Sequence, residues 1–379
     1  MIVGIPKEVF VGERRVALVP ELVPRLIQAG LEVHLQTGAG DEAGFVDEEY
    51  ASKGALLQPE VLGGSDILLK VRPCTGDEIA RLRPATTFIG FLEPFTQTTE
   101  IGLLAERRVT AFAMELMPRI ARAQPMDSLS AMSTVAGYKA VLLAANRLPK
   151  FFPLLMTAAG TMTPARVLVI GAGVAGLEAI GTAKRLGAVV EAYDPRPAVK
   201  EEVQSLGAKF LELGLDTQDA EEKGGYAKPQ TEEFYRKQRE MMSQHVAAAD
   251  VVITAGLVRG ERAPILVTEE MVRGMRPGSV IVDLAADQGG NCSLTEPGRD
   301  AIKYGVNIMG PLNLPSTMAH HASQMYARTV VNFLLYCVRD GKIGFDLNDE
   351  LIRSALVTHQ GNILHATIQS GISAEARPS

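Results

Sequence analysis

The 379-residue sequence has no tryptophan, three cysteines and only 5% aromatic residues. Cys74, Cys292 and Cys337 are odd in number and far apart, which argues against a disulfide framework or a cysteine-rich metal site and points to a reducing cytosol. There is no basic excess. The formal net charge is −6, so a general nucleic-acid binder is not expected and no polybasic membrane patch is present. The start, MIVGIPKE, lacks the basic and apolar regions of a secretory signal. No run reaches the roughly 18 uncharged apolar residues of a spanning helix. The nearest, from Thr329 to Val338, reads as a buried helix face. The six histidines, His320 and His321 included, have no Asp or Cys at ligand spacing, so no metal site is expected.

What is present is ordinary globular material, 46% hydrophobic and 22% charged, long enough for two or three domains. Short apolar runs alternate with amphipathic stretches up to about residue 125, and again from Arg166 to Met309. That alternation predicts an α/β fold of two Rossmann-like domains with parallel sheets. The long helical stretches near 130–148 and 317–338 would carry the chain out and back. One domain is then inserted into the other: 1–128 plus 317–379 form the discontinuous outer domain, and 129–316 the inner one. The cleft between them is the expected ligand site. A polar tail follows, and a polar, Gly-containing insert from Leu213 to Gln238 reads as a lid.

The sharpest motif follows the predicted strand RVLVI. Gly171, Gly173 and Gly176 form a GxGxxG turn that opens a helix, and the next strand ends at Asp194. Gly171 suits the tight turn, Gly173 the close approach of a pyrophosphate, and Gly176 the packing of helix on strand. Asp194 stands where a carboxylate accepts from the adenosine ribose and repels a 2′-phosphate, which selects NAD(H) over NADP(H). Arg196 lies two residues further on and takes a secondary role.

The stretch MPRIARAQPMDSLSAMSTVAGY, from Met117 to Tyr138, closely resembles the Arg-Gln-Asp loop of the NAD(H)-binding component (alpha-1 subunit, domain I) of proton-translocating NAD(P) transhydrogenases. GIPKE, ERRVALVP, VIGAGVAGLEAI, KGGYAK, PGSVIVDLA and GGNCSLTEPG resemble the same family, which shares its plan with alanine dehydrogenase. The resemblance implies roles residue by residue. Arg119, Gln124 and Asp127, with Ser130 and the backbone of Ile120 and Ala121, would position the nicotinamide. Gly173 and Val174 would meet the pyrophosphate, Asp194, Pro195 and Arg196 the adenosine side, and Leu257 the nicotinamide half. Gly225 and Tyr226 would belong to a loop closing over the nucleotide. The residue chemistry agrees: a carboxamide such as Gln124 both donates and accepts, and Arg119 offers a rigid fork of donors.

The family further implies a homodimer working with an NADP(H)-binding beta subunit and membrane-spanning subunits, with this chain cytoplasmic and peripheral on the inner face of the membrane. Direct hydride transfer between two nicotinamides moves no substrate proton, so no acid or base is required. One alternative is an NAD-dependent alanine or related amino-acid dehydrogenase. Arg15 and Lys70 match residue types which that enzyme uses for its substrate, but the strand TTFIGFLEPF has no histidine for proton transfer. The other alternative is a non-catalytic NAD-sensing module.

Overall fold

A computed structural model describes residues 1–215, 228, 230–258, 262–365 and 368. The chain divides into two compact units, Met1–Met132 with Pro315–Ser379, and Ser133–Leu314.

The first unit is built on an eight-stranded sheet. Across it, the strands run Asn362–Ile363, Leu356–His359, Thr110–Ala113, Thr87–Gly90, Ile67–Leu69, Ile2–Ile5, Glu32–Gln36 and Leu56–Gln58. The six from Thr110–Ala113 to Leu56–Gln58 are parallel. Their inner members are apolar without alternation because both faces are covered, as Ile67–Leu69 shows with all three residues buried. The strand order reverses between Ile2–Ile5 and Ile67–Leu69, which makes that pair the switch point of this sheet. The polar tail is not inert. Leu356–His359 pairs antiparallel with Thr110–Ala113, and Asn362–Ile363 pairs antiparallel with Leu356–His359.

The second unit carries a seven-stranded sheet in the order Lys209–Phe210, Val189–Tyr193, Arg166–Ile170, Val251–Thr254, Val280–Asp283, Val306–Met309 and Asp300–Lys303. All its pairings are parallel except the last. This is the doubly wound order, with its switch point between Arg166–Ile170 and Val251–Thr254. The core on one face gathers Val167, Val169, Ala179, Ile180 and Ala183 with Ala140, Val141 and Ala144 of the helix Ser128–Arg147. That helix is long and apolar enough to cross a bilayer by length and composition, but those three residues lie in a protein core. It reaches the helix Val174–Arg185 at Gly137, where a Cβ would fall 2.1 Å from the Ala175 carbonyl oxygen.

Two further elements depart from expectation. The end of the polar insert is helix: Glu232–Ala248 starts at the Thr231 cap, carries i,i+4 pairs such as Glu233–Lys237, and buries Gln238, Met242 and Val246. A hairpin, Leu155–Thr157 with Gly160–Met162, follows the long helix and leaves Leu154, Met156 and Met162 exposed.

Candidate functional site

The fingerprint turn leaves the strand Arg166–Ile170 at the switch point of the second unit. Gly171 has φ +98°, and a Cβ there would sit 2.8 Å from the backbone of Ala255, at the end of the neighbouring strand. Gly176 is as constrained, since its Cβ would lie 1.9 Å from the Gly171 carbonyl oxygen. Gly173 differs: its φ is −73° and a Cβ would meet nothing within 4 Å. The chain's own packing therefore explains two of the three glycines but not Gly173. Gly173 also caps the helix Val174–Arg185 with no side-chain bond, which leaves the helix N-terminus suited to an anion.

Asp194 is buried beside this turn. Its Oδ2 accepts the Ala172 N–H at 2.8 Å, and Oδ1 accepts the Arg196 N–H at 2.9 Å. The Arg196 guanidinium adds bonds at 2.8 Å to Oδ1 and 2.9 Å to Oδ2. Arg196 thus spends its fork on Asp194, in a charge-assisted pair that fixes the carboxylate next to the turn. Pro195 lies half-buried between them and Val174 half-buried in the first helical turn, whereas Leu257 is exposed beyond the strand Val251–Thr254. Gly225 and Tyr226 lie outside the described residues.

The Arg-Gln-Asp loop belongs to the first unit. Residues Ala121–Met126 form a 3-10 helix that includes Pro125. Asp127 caps the helix that follows: Oδ1 accepts the Ser130 N–H at 2.8 Å, and Oδ2 accepts the Ser130 hydroxyl at 2.6 Å. Ala123 and Met126 are buried, and Ile120 partly so. Asn332 donates to the Pro125 carbonyl at 2.9 Å, and Arg122 is paired with Asp349 at 3.0 Å. So anchored, the loop leaves Arg119, Ala121 and Gln124 exposed. The structure brings Asp127 to Ser130, and Asp194 to Arg196 and the turn.

Arg15 and Lys70 are both buried in the first unit. Arg15 holds Glu13 with two bonds, Nε at 2.7 Å and an Nη at 2.6 Å. Lys70 Nζ lies 2.7 Å from Glu78 and 3.3 Å from Glu8, and Tyr326 donates to the Lys70 carbonyl at 2.7 Å. Glu8 and Lys70 follow the two strands of this sheet's switch point. Nearby, Glu115 accepts the N–H groups of Leu92 at 2.9 Å and Glu93 at 2.6 Å. It thereby fixes a turn in which Glu93 has φ +48°.

Burial pushes the Glu115 carboxyl up to about 7, against the pull of its backbone donors. The folded chain therefore holds a proton that the unfolded chain releases near the ordinary carboxylate range. This group's contribution to stability is present below that range and is lost as pH rises toward 7. In Glu115→Gln, which keeps the acceptor oxygen, that loss is expected to vanish. Urea unfolding at pH 5 and pH 8 should show a smaller decline than in the parent, by up to about 1.4 kcal/mol per pH unit in this window. Equal slopes would remove Glu115 as their cause.

Sequence reading missed the polar residues that hold the second unit's loops. Asp283 is fully buried and accepts from Thr254, Ala285, Cys292 and Thr295. Asn291, equally buried, bonds to Gly256 and Pro264. Both fall in family-like stretches, VIVDLA and GGNCSLTEPG, which was the one signal that could have found them. Apart from Ala285, their partners lie 9 to 35 positions away, a spacing set by loop geometry and by no periodicity.

Two family models match the chain: the alanine dehydrogenase/PNT N-terminal domain over residues 4–136, and the C-terminal domain over residues 140–366. An NAD(P) transhydrogenase subunit alpha polypeptide of Rhodospirillum rubrum is 46% identical, across 97% of this chain and 99% of that one. The alanine dehydrogenase of Bacillus subtilis is 30% identical, across 100% of this chain and 97% of that one. Among solved structures, a transhydrogenase from Sinorhizobium meliloti is 40% identical with a TM-score of 0.85, covering 97% of this chain and 100% of that one. The chain belongs to the alanine dehydrogenase/PNT family.

Proposed function

We propose that this chain is the NAD(H)-binding alpha-1 component of a proton-translocating NAD(P) transhydrogenase, passing hydride from NADH to NADP⁺ held by a partner beta subunit. The relatives that bear the transhydrogenase name, similar from end to end, support the reading. The observation that carries it against the dehydrogenase is the state of Arg15 and Lys70. Glu13 neutralises the one, and Glu8 with Glu78 the other, so both cations are engaged by the chain's own carboxylates.

NADH is the substrate on this component. Gly171, Gly173, Val174 and Gly176 would receive its pyrophosphate, Asp194, Pro195 and Arg196 its adenosine side, and Leu257 its nicotinamide half. Ile120, Ala121 and exposed Arg119 and Gln124 would position the ring, with Asp127 and Ser130 setting the shape of that loop. The open space where a Gly173 Cβ would stand suits a backbone that a phosphate must approach. Hydride leaves C4 of one nicotinamide and reaches C4 of the other with its electron pair, so no proton is exchanged. The protein's task is to hold the two rings roughly 3–3.5 Å apart and to exclude water. Gly225 and Tyr226 would serve that exclusion.

The working form is a homodimer, peripheral on the cytoplasmic face of the membrane through partner subunits that span it and conduct the protons. The exposed apolar side chains of the hairpin favour a second copy as their cover. A cavity of about 630 Å³ at the hairpin's base, lined by Leu148, Phe151 and Met162, is available to a partner's hairpin.

The test mixes the purified chain with a soluble NADP(H)-binding component. Exchange between NADH and NADP⁺ is expected only when both are present, and alanine with NAD⁺ is expected to yield no NADH. Alanine-dependent NADH formation would establish the dehydrogenase instead. NADH binding without exchange would favour the sensing module.

A further inference from the structure

We infer that Asn291 is a positioning residue for the nicotinamide half of the bound nucleotide, an inference that rests on the function proposed above. In a doubly wound sheet the first mononucleotide half, here Arg166–Ile170, Val189–Tyr193 and Lys209–Phe210, takes the adenosine side. The second half takes the nicotinamide side. The first loop of that second half, Ala255–Gly256–Leu257, leaves the strand Val251–Thr254 at the switch point.

Three contacts fix this loop. From one side the Gly171 turn presses on it: a Cβ at Gly171 would lie 2.8 Å from the Ala255 carbonyl and 3.0 Å from the Gly256 nitrogen. From the other side Leu266 closes in, 2.6 Å from where a Gly256 Cβ would stand. The Asn291 side chain supplies the third. Its Oδ1 accepts the Gly256 N–H at 2.9 Å, and its Nδ2 donates to the Gly256 carbonyl at 2.8 Å and to the Pro264 carbonyl at 2.9 Å.

Pairing with both the N–H and the C=O of one residue requires a donor and an acceptor side by side. Only a carboxamide provides that at neutral pH. Asn291 is itself fully buried and is held through its carbonyl, which accepts from Leu266 at 2.8 Å and Val267 at 3.0 Å. Its carboxamide therefore sets the orientation of the peptide that leads into Leu257. Leu257 itself is 43% exposed. The adenosine side is anchored separately, by Asp194, Arg196 and Ala172.

The experiment compares NADH with ADP-ribose, which shares the adenosine and pyrophosphate but lacks the nicotinamide. Asn291→Asp turns the donor into an acceptor facing two carbonyls. It is expected to weaken NADH binding at least tenfold while ADP-ribose binding changes less than twofold. Asn291→Ser, a milder loss, should show the same selectivity to a smaller degree. In the exchange assay with the NADP(H)-binding component, kcat should fall together with NADH affinity. ADP-ribose binding doubles as the check that each variant is folded. Equal weakening of both ligands, or no change in either, would overturn the positioning role. If the parent binds neither ligand, the function proposed above falls instead.

Discussion

Gly173→Ala leaves the second unit folded and deprives it of NADH. The new Cβ meets no atom within 4 Å, and φ at this residue, −73°, is one that alanine adopts freely. Alanine is the poorer helix cap, but it also restricts the unfolded chain. The two effects oppose each other, so stability should change by no more than about 1 kcal/mol. The methyl would project into the approach of the pyrophosphate, and NADH affinity is expected to fall more than tenfold. Gly176→Ala is the contrasting case. Its methyl would overlap the Gly171 carbonyl at 1.9 Å, and because both partners are backbone, neither can swing aside. That variant is expected to lose the cooperative melting of the second unit before binding can be assayed. Thermal melts with NADH titrations separate the two. A Gly173→Ala protein that binds NADH as the parent does would remove the turn from the binding site.

Replacing Lys70 by methionine should be among the most damaging single changes in the first unit. Lys70 is fully buried. Burial alone would favour its neutral form, but the carboxylate of Glu8, together with Cys74 and Glu78, holds its pKa above the ordinary value. The Glu8 pKa is raised too, by burial, which disfavours its charged form, and Lys70 is the chief influence that lowers it. The cation and its two carboxylates are therefore one unit. Methionine keeps the length of the stem and removes the charge, which leaves buried carboxylates without a counter-charge at a cost of about 3–5 kcal/mol. Adding Glu8→Gln and Glu78→Gln to Lys70→Met should recover most of that loss, since a neutral, filled cluster carries no uncompensated charge. Denaturant unfolding of the parent, the single variant and the triple variant measures it. If the triple variant is no more stable than the single one, packing rather than charge is what Lys70 supplies.

The cluster also shows why sequence reading stopped where it did. Arg15 and Lys70 could be noticed as cations, but their partners could not. Glu13 is two residues away, yet Glu8 lies 62 positions before Lys70 and joins it only because the strands Ile2–Ile5 and Ile67–Leu69 are neighbours in the sheet. The tail strand Leu356–His359 was hidden for a similar reason. It is buried on both faces, so it has no alternation, and its partner Thr110–Ala113 is about 250 residues earlier. The helix Glu232–Ala248 was obscured by its polar first turns, which carry the charged i,i+4 pairs Glu233–Lys237 and Arg236–Glu240.

Local physics was legible from the order of the residues. The turn Gly171–Gly176 is recognisable within six residues, and Gly176 answers to Gly171 inside it, although Gly171 itself is confined by Ala255 at the end of the neighbouring strand. The alternation of strand and helix, and hence the α/β class, is likewise a property of short windows and their periodicity. What folding alone decided is how side chains distant in the chain meet: Asn291 on Gly256, Asp194 clamped by Arg196 against Ala172, Lys70 between two glutamates. Hydrogen bonds and ion pairs act over about 3 Å, whereas the chain separation of their partners runs to dozens of residues. No local pattern encodes that distance, and only the register of the sheets brings those groups within reach.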